Sequence, residues 1–306
     1  MKLEPQNLKS LATALAGANQ RREKVSAVNL AAMNRLLAHV PEDMTTTVEA
    51  GITLAALQAA LSQRGQWLPL DAPRMNSLTI SELLAHNLSG PRRYGYGTAR
   101  DHLLGMKVVL ADGTLVSSGG KVVKNVAGYD LHKLFIGAQG TLGVIVEATF
   151  KLRPLPVAEE FVSIPCPTPA DAARFIEAVL NSPLTPAVFD LHNLGGTTLV
   201  LGFAGSREEV AWQLAEAVKL GFAAGASLDY EGTFWAGAEK AQRLSVLPSR
   251  LTETISSLGN AAFVARAGNG IVYHRGPAPA PALPNARLMQ RVKAAFDPNH
   301  IFPELA

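Results

Sequence analysis

Three arginines and a run of glycines carry most of the chemistry this sequence offers. Arg92, Arg93 and Arg100 fall inside a stretch from Ser89 to Pro154 that holds eleven glycines. Arginine presents a planar fork of donors that matches phosphate oxygens. Glycine has no Cβ, so its backbone can lie close against a ligand or against another strand. A pyrophosphate is well held by fixed backbone N–H groups with charge-assisted help from arginine. The combination predicts a bound dinucleotide. The plainer alternative is that the glycines only shape tight turns and the arginines are solvated.

Acid–base and metal chemistry are less well provided for. The seven histidines (His39, His86, His102, His132, His192, His274 and His300) are scattered, with no pair at the short spacings that metal sites use. No metal site is expected. The single cysteine, Cys166, excludes an internal disulfide and an iron–sulfur cluster held by this chain's own thiolates. Lys121 and Lys124, in KVVKNVAG, are cations near the presumed dinucleotide, or a solvated edge.

The elements that must position these residues can be read in outline. Leu8, Leu11 and Leu15 share a helical face over residues 6–16. The β-branched run at 44–50 reads as a strand. Thr53 caps a helix that Gly65 ends. Asp112-Gly113 is a strong two-residue turn inside a hairpin over 106–118. A short helix is expected from Tyr129 to Ile136 and a long strand over 142–153.

After the linker RPLPVAE the rhythm changes. A strand is followed by a helix opened by Thr168-Pro169, then by two strands around Gly195-Gly196. A capping box at Ser206–Glu209 opens the next helix, and ASLDYEG is read as a strand. This β-α-β-β-α-β order is the ferredoxin-like arrangement. AAFVARAG and GIVYHRG form a late hairpin, and Asn285 to Phe296 a terminal helix.

The chain has 306 residues, 48% apolar and 17% charged, with a formal net charge of +3. That is enough apolar material for a sizeable core and about two domains. The charge is too small to argue for nucleic acid. The N-terminal residues do not read as a signal peptide, and no run approaches a membrane span. A soluble, cytoplasmic protein is expected, peripheral to the inner face of a membrane only through partners.

DMTTTVEAGITL (43–54), GQWLPLDAP (65–73), SGPRRYGYGTARD (89–101), KNVAGYDL (124–131) and GTLGV (140–144) occur in this order, with KAAFDPNHIFP near the C-terminus. Together they resemble the FAD-binding flavoproteins of the vanillyl-alcohol-oxidase type, and within them the smaller FAD-binding subunits of bacterial glycolate oxidases. The resemblance implies an α+β fold: a two-subdomain FAD-binding domain over residues 1–156, a ferredoxin-like cap domain over 157–283, and a C-terminal helix over 284–306 that returns to the FAD domain. It implies FAD contacts from Ser89, Gly90, Pro91, Arg92, Arg93, Arg100 and Asp101, and from Thr141, Gly143, Val144 and Ile145. His274 becomes a weak catalytic candidate, because late cap strands often face the flavin in this family. His274 and Arg275 are adjacent in a strand, so they point to opposite faces.

Two segments depart from the family pattern. The early Gly-Gly-Gly-Thr type of turn is replaced by AGANQRREKVSAVNL (16–30). Where the family has Thr-Leu-Gly-Gly at a helix start near the phosphates, this chain has Thr79-Ile80-Ser81-Glu82. Thr79 and Glu82 have capping-box spacing, which would satisfy that helix start internally. A carboxylate at 4–6 Å from a phosphate charge would oppose binding by roughly 3–4 kcal/mol at an effective dielectric near 20. In the other arrangement the loop is displaced and Glu82 turns to water.

The resemblance implies an accessory subunit of a glycolate-oxidase-like complex oxidising a 2-hydroxy acid. Its partners would be a larger flavoprotein homologue and an iron–sulfur subunit. The departures leave open a flavin-free subunit with a structural role in the same complex.

Overall fold

The computed structural model describes residues 1–120, 130–237, 241–277 and 285–304. Lys121, Lys124 and most of the KNVAGYDL segment lie outside the described residues. Contacts divide the chain into two compact units. The first is built from Met1–Ser89, Thr98–Leu155 and the C-terminal stretch; the second from Gly90–Gly97 and the chain that follows Pro156.

The first unit is organised by a five-stranded antiparallel sheet. Its strands run in the order Leu36–Val40, Thr45–Glu49, Val144–Lys151, Leu103–Val109, Leu115–Gly119. The hairpin at Asp112-Gly113 forms, with Asp112 Oδ1 accepting from Thr114 N–H (2.8 Å). Gly113 has φ +84°, and a Cβ there would stand 2.5 Å from the Ala12 carbonyl, so only glycine fits. The central Val144–Lys151 strand separates two cores. Ile145, Ala148 and Phe150 pack with the helices Leu54–Ser62 and Ile80–Ala85. Val144 and Val146 pack with Leu11 and Leu15 of the helix Leu8–Arg21 and with Ile301 and Phe302.

The C-terminal stretch is fastened by a buried ion pair. On the helix Ala286–Phe296, Lys293 donates to the carboxylate of Asp297 (2.5 Å), to the Thr141 carbonyl (2.9 Å) and to the Phe302 carbonyl (3.3 Å). Asp297 in turn accepts the N–H groups of Ile301 and Phe302 (2.9 Å each). Every donor of the ammonium is used, which is what makes a buried charge tolerable.

The second unit has a seven-stranded sheet. The strands Ala158–Pro165, Val188–His192, Thr198–Gly205 and Ala223–Ala224 alternate with the helices Pro169–Leu180 and Arg207–Lys219 in the ferredoxin-like sequence. The sheet is extended by Phe263–Arg266, Ile271–His274 and Gln242–Ser245. One face carries Phe189, Leu191, Leu199, Leu201 and Val272 under the helices. The other carries Val200, Val264, Ile271 and Tyr273.

ASLDYEG is not a strand. Only Ala223–Ala224 pairs with the sheet, and Asp229–Ala236 is a helix. Tyr230 and Phe234, four residues apart, share the buried face of that helix. The alternation that suggested a strand was too short to distinguish period two from period 3.6. The strand Leu36–Val40, the strand Gln242–Ser245 and the helix Leu251–Ser257 gave no clear sequence signal. The linker is also more ordered than it reads, since Arg153–Pro154 pairs with Gln66–Trp67.

Candidate functional site

The glycine-rich wall and the helix Ile80–Ala85 meet in the first unit. The C-terminal carbonyls of that helix take the next segment in hand, Leu84 accepting from Gly137 N–H (2.9 Å) and Ala85 from Gln139 N–H (2.8 Å). Gln139 and Gly140 both have positive φ (+54° and +74°), which turns the chain sharply into the Val144–Lys151 strand. Thr141 is buried, its hydroxyl donating to the Ala138 carbonyl (2.7 Å). Gly143, Val144 and Ile145 then line a cavity of about 250 Å³ with Ser81, His86, Phe135, Phe302 and residues 25–28. A Cβ at Gly143 would stand 2.7 Å from Val108 Cγ1. This glycine answers to strand packing, whatever the cavity holds.

The helix start beside this cavity is saturated. The capping box is formed: Glu82 N–H donates to Thr79 Oγ1 (3.2 Å), and Glu82 Oε2 accepts from both Thr79 N–H (3.0 Å) and the Thr79 hydroxyl (2.9 Å). Two more donors are spent on the neighbouring chain, Ile80 N–H on the Ile52 carbonyl (2.9 Å) and Ser81 N–H on the Ala50 carbonyl (2.7 Å). None of these N–H groups is left for a phosphate. Sequence reasoning reached the Thr79–Glu82 box; the two backbone bonds come from residues about thirty positions away and carry no local signal.

The arginine-bearing segment is divided by the fold. Ser89, Arg100 and Asp101 belong to the first unit, Gly90, Pro91, Arg92 and Arg93 to the second. Ser89, Gly90 and Pro91 are buried. Arg92 is engaged by Glu159 through a two-bonded ion pair (2.7 and 2.5 Å). Arg100 is exposed on the short helix Ala99–His102. Asp101 caps that helix, accepting from both the N–H and the hydroxyl of Thr98 (2.8 Å each). Burial pushes the Asp101 carboxyl up, but the Thr98 bonds outweigh it and hold it below the usual range.

His274 is completely buried. Its Nδ1 accepts from Gly276 N–H (3.2 Å), and burial holds its pKa below the usual histidine value. Arg275 points the other way, its guanidinium 4.8 Å from the centre of the Phe234 ring. Among the described residues there is no group of three His, Cys, Asp or Glu side chains placed to hold a metal.

A cluster that the sequence did not announce lies in the second unit. Arg266 and Asp190, each 1% exposed, form an ion pair, and Arg266 Nη1 also donates to Glu231 (2.6 Å). The Tyr230 hydroxyl donates to Asp190 (2.7 Å). His192 stacks on Tyr230 with ring centres 4.3 Å apart and planes 16° from parallel. Burial pushes the Asp190 carboxyl up to about 7, since one guanidinium is shared between two carboxylates. Burial also lowers His192 to about 4. Asp190 and Arg266 are far apart in sequence, and only the strand pairing brings them side by side.

This fold finds counterparts among known proteins. Residues 7–119 match the model of an FAD binding domain. The glycolate oxidase subunit GlcD of Bacillus subtilis is 35% identical over 158 residues, 52% of this chain and 34% of that protein. GlcE of Escherichia coli is 40% identical over 119 residues, 39% of this chain and 34% of that protein. The mitochondrial D-2-hydroxyglutarate dehydrogenase of Bos taurus is 31% identical over 76% of this chain and 46% of its own length. The match thus spans about a third of the length of the two glycolate oxidase relatives. Among solved structures, an alkyldihydroxyacetonephosphate synthase superposes with TM-score 0.73 over 98% of this chain and 75% of its own, at 16% identity. The matched part of the chain is thus similar to the FAD-binding oxidase family, and the chain has the FAD-binding fold of the vanillyl-alcohol-oxidase type. No helix among the described residues is long and apolar enough to cross a membrane.

Against that family's cofactor the residues divide. The wall of Gln139–Ile145 offers backbone at the side of a cavity, which suits close approach of a ligand. The start of the helix Ile80–Ala85 does not fit a pyrophosphate, because its donors are spent and Glu82 adds a negative charge.

Proposed function

We propose that this chain is the FAD-binding accessory subunit of a glycolate-oxidase-like complex that oxidises a 2-hydroxy acid. The observation that carries the reading is the cavity lined by Gly143, Val144 and Ile145, in the unit that holds most of residues 7–119, the stretch that matches an FAD binding domain. The relatives named as glycolate oxidase subunits and as a D-2-hydroxyglutarate dehydrogenase support the substrate class. When bound, the flavin supplies two-electron oxidation, and the protein supplies binding and electrostatics. Within this chain, Thr141, Gly143, Val144 and Ile145 hold one side of the cofactor. Ser89, Gly90, Pro91, Arg93, Arg100 and Asp101 are proposed contacts. Arg92 is one only if it leaves Glu159. His274, sealed in the core, is a poor general base. Substrate chemistry therefore falls to a larger flavoprotein homologue, with an iron–sulfur subunit taking the electrons onward, and any membrane contact runs through those partners.

A second reading has its own observation. The saturated start of the helix Ile80–Ala85 favours a subunit that keeps the fold without flavin and serves the complex structurally. Purification from the native host separates the two. Near-stoichiometric flavin absorbance on this chain supports the first reading. Colourless protein that takes up no FAD from excess, alone or with its co-purifying partner, overturns it in favour of the second.

A further inference from the structure

We infer that the second unit carries a binding site for a small neutral hydroxylated molecule, of the polyol or sugar class, in a cavity floored by Ser163, Thr198, Val200 and His192. The register of the sheet builds that floor. Ser163 lies opposite Val200, Val200 opposite Asp190, and Asp190 opposite Arg266. On the neighbouring rung Thr198 lies opposite His192, and His192 opposite Val264. These residues alternate with the core-facing Leu199, Leu201 and Leu191, so they share the other face. The helix Asp229–Ala236 covers one half of this face, seating Tyr230 and Phe234 on Val264, Ile271 and Tyr273. The uncovered half is a cavity of about 490 Å³, walled by the first turn of that helix with Asp229 at its rim.

His192 is held in one orientation and one tautomer. Its Nδ1 accepts from Leu194 N–H (3.2 Å), which puts the proton of the neutral ring on Nε2. Its ring lies flat on Tyr230, whose hydroxyl is tied to Asp190, which is paired with Arg266. A core needing only stability gains little from such a chain, because apolar residues of similar volume often do as well or better. What the chain does supply is a fixed imidazole donor at a cavity floor, with the Thr198 hydroxyl on the adjoining strand and the Ser163 hydroxyl one strand further on.

Charge selects the ligand. Among the described residues lining the cavity Asp229 is the one charged side chain, and it is negative, so an anion entering the cavity is disfavoured. A neutral hydroxyl can accept from His192 Nε2–H and donate to the Asp229 carboxylate, while Val200 and Leu194 meet its C–H faces. A 2-hydroxy acid is an anion at neutral pH. The site is therefore separate from the substrate chemistry proposed above and does not depend on it.

The test is histidine-detected NMR on the full chain, following the ring nitrogens of His192 during titration with D-glucose, myo-inositol and glycerol, with glycolate as the anionic control. At least one neutral probe is expected to shift the His192 signal saturably, with affinity on the order of millimolar. Glycolate is expected to leave it unmoved. Asp229 is exposed, so Asp229→Asn should fold normally and weaken binding about tenfold or more through loss of a charge-assisted bond. Thr198→Val is expected to weaken it with an unchanged melting profile. No saturable shift with any neutral probe, an equal response to glycolate, or undiminished binding by Asp229→Asn overturns the assignment.

Discussion

Each unit buries one cation against carboxylate, and the two arrangements are opposites. In the first unit Lys293 spends its donors on Asp297, Thr141 and Phe302, and Asp297 is closed by the N–H groups of Ile301 and Phe302. In the second, Arg266 Nε and Nη2 and Asp190 Oδ1 find no partner among the described residues. A saturated pair is a fastener: it joins the C-terminal stretch to the loop that forms the cavity wall. An unsaturated pair is a poor fastener, because each orphaned buried group costs about 1–3 kcal/mol. Its benefit lies in what it orients, the Tyr230–His192 stack.

The strongest way to break this comparison is to remove one cation at a time. Lys293→Met leaves Asp297 charged and buried, so the first unit is expected to lose about 3–5 kcal/mol. Urea unfolding followed by fluorescence of Trp67 reads that unit. A loss below about 1 kcal/mol would show that the pair is no fastener.

pH separates the two titrating members of the second cluster. His192 has a folded pKa of about 4, below its unfolded value, so the unfolded chain binds more protons between there and about 6.5. Its contribution to stability therefore rises with pH across that window, by up to about 3 kcal/mol before screening at the cavity edge. Asp190 is raised to about 7, so the folded chain holds the extra proton and its contribution falls as pH rises from about 4 to 7. The two slopes oppose each other in the wild type. His192→Gln is expected to leave stability falling with pH, and Asp190→Asn to leave it rising, in unfolding followed by the fluorescence of Trp235. Identical pH profiles in the two variants would remove the assignment of charge states.

Arg266→Met should cost less than Lys293→Met, about 1–3 kcal/mol, because Asp190 can take up a proton once the guanidinium is gone. Adding Asp190→Asn to it should recover part of the loss, since the pair acts as a unit. A single substitution as costly as that at Lys293 would erase the distinction between the two clusters.

What could be read from the sequence follows the same division. Thr79 and Glu82 are three residues apart, and their box forms as spacing predicts. The ferredoxin-like order was legible because its helices open with local caps at Thr168 and Ser206. The glycine-rich block announced close approach but not what approaches: at Gly143 it is Val108. Arg92 looked like a phosphate ligand because Glu159 is remote in sequence and its claim on the guanidinium is invisible there. The Asp190–Arg266 pair exists only through strand pairing across a helix that was itself misread.

The smallest expected effect bears on the cofactor. Glu82→Gly removes a negative charge and frees the Thr79 N–H and hydroxyl proton, but the residue-82 N–H still donates to Thr79 Oγ1, and Ile80 and Ser81 stay bonded to Ile52 and Ala50. Glu82 is exposed, so its repulsion of a phosphate is screened and the full in-protein value does not apply. Loss of the Glu82 arm of the capping box, with glycine placed in the first turn, should cost about 1 kcal/mol of stability. FAD affinity, measured by fluorescence quenching of added flavin, should improve by about tenfold at most. A gain of several hundredfold would mean that the single carboxylate, rather than the consumed backbone donors, closes the helix start. No gain would place the whole obstacle in the two backbone bonds, which no side-chain substitution at this position can release.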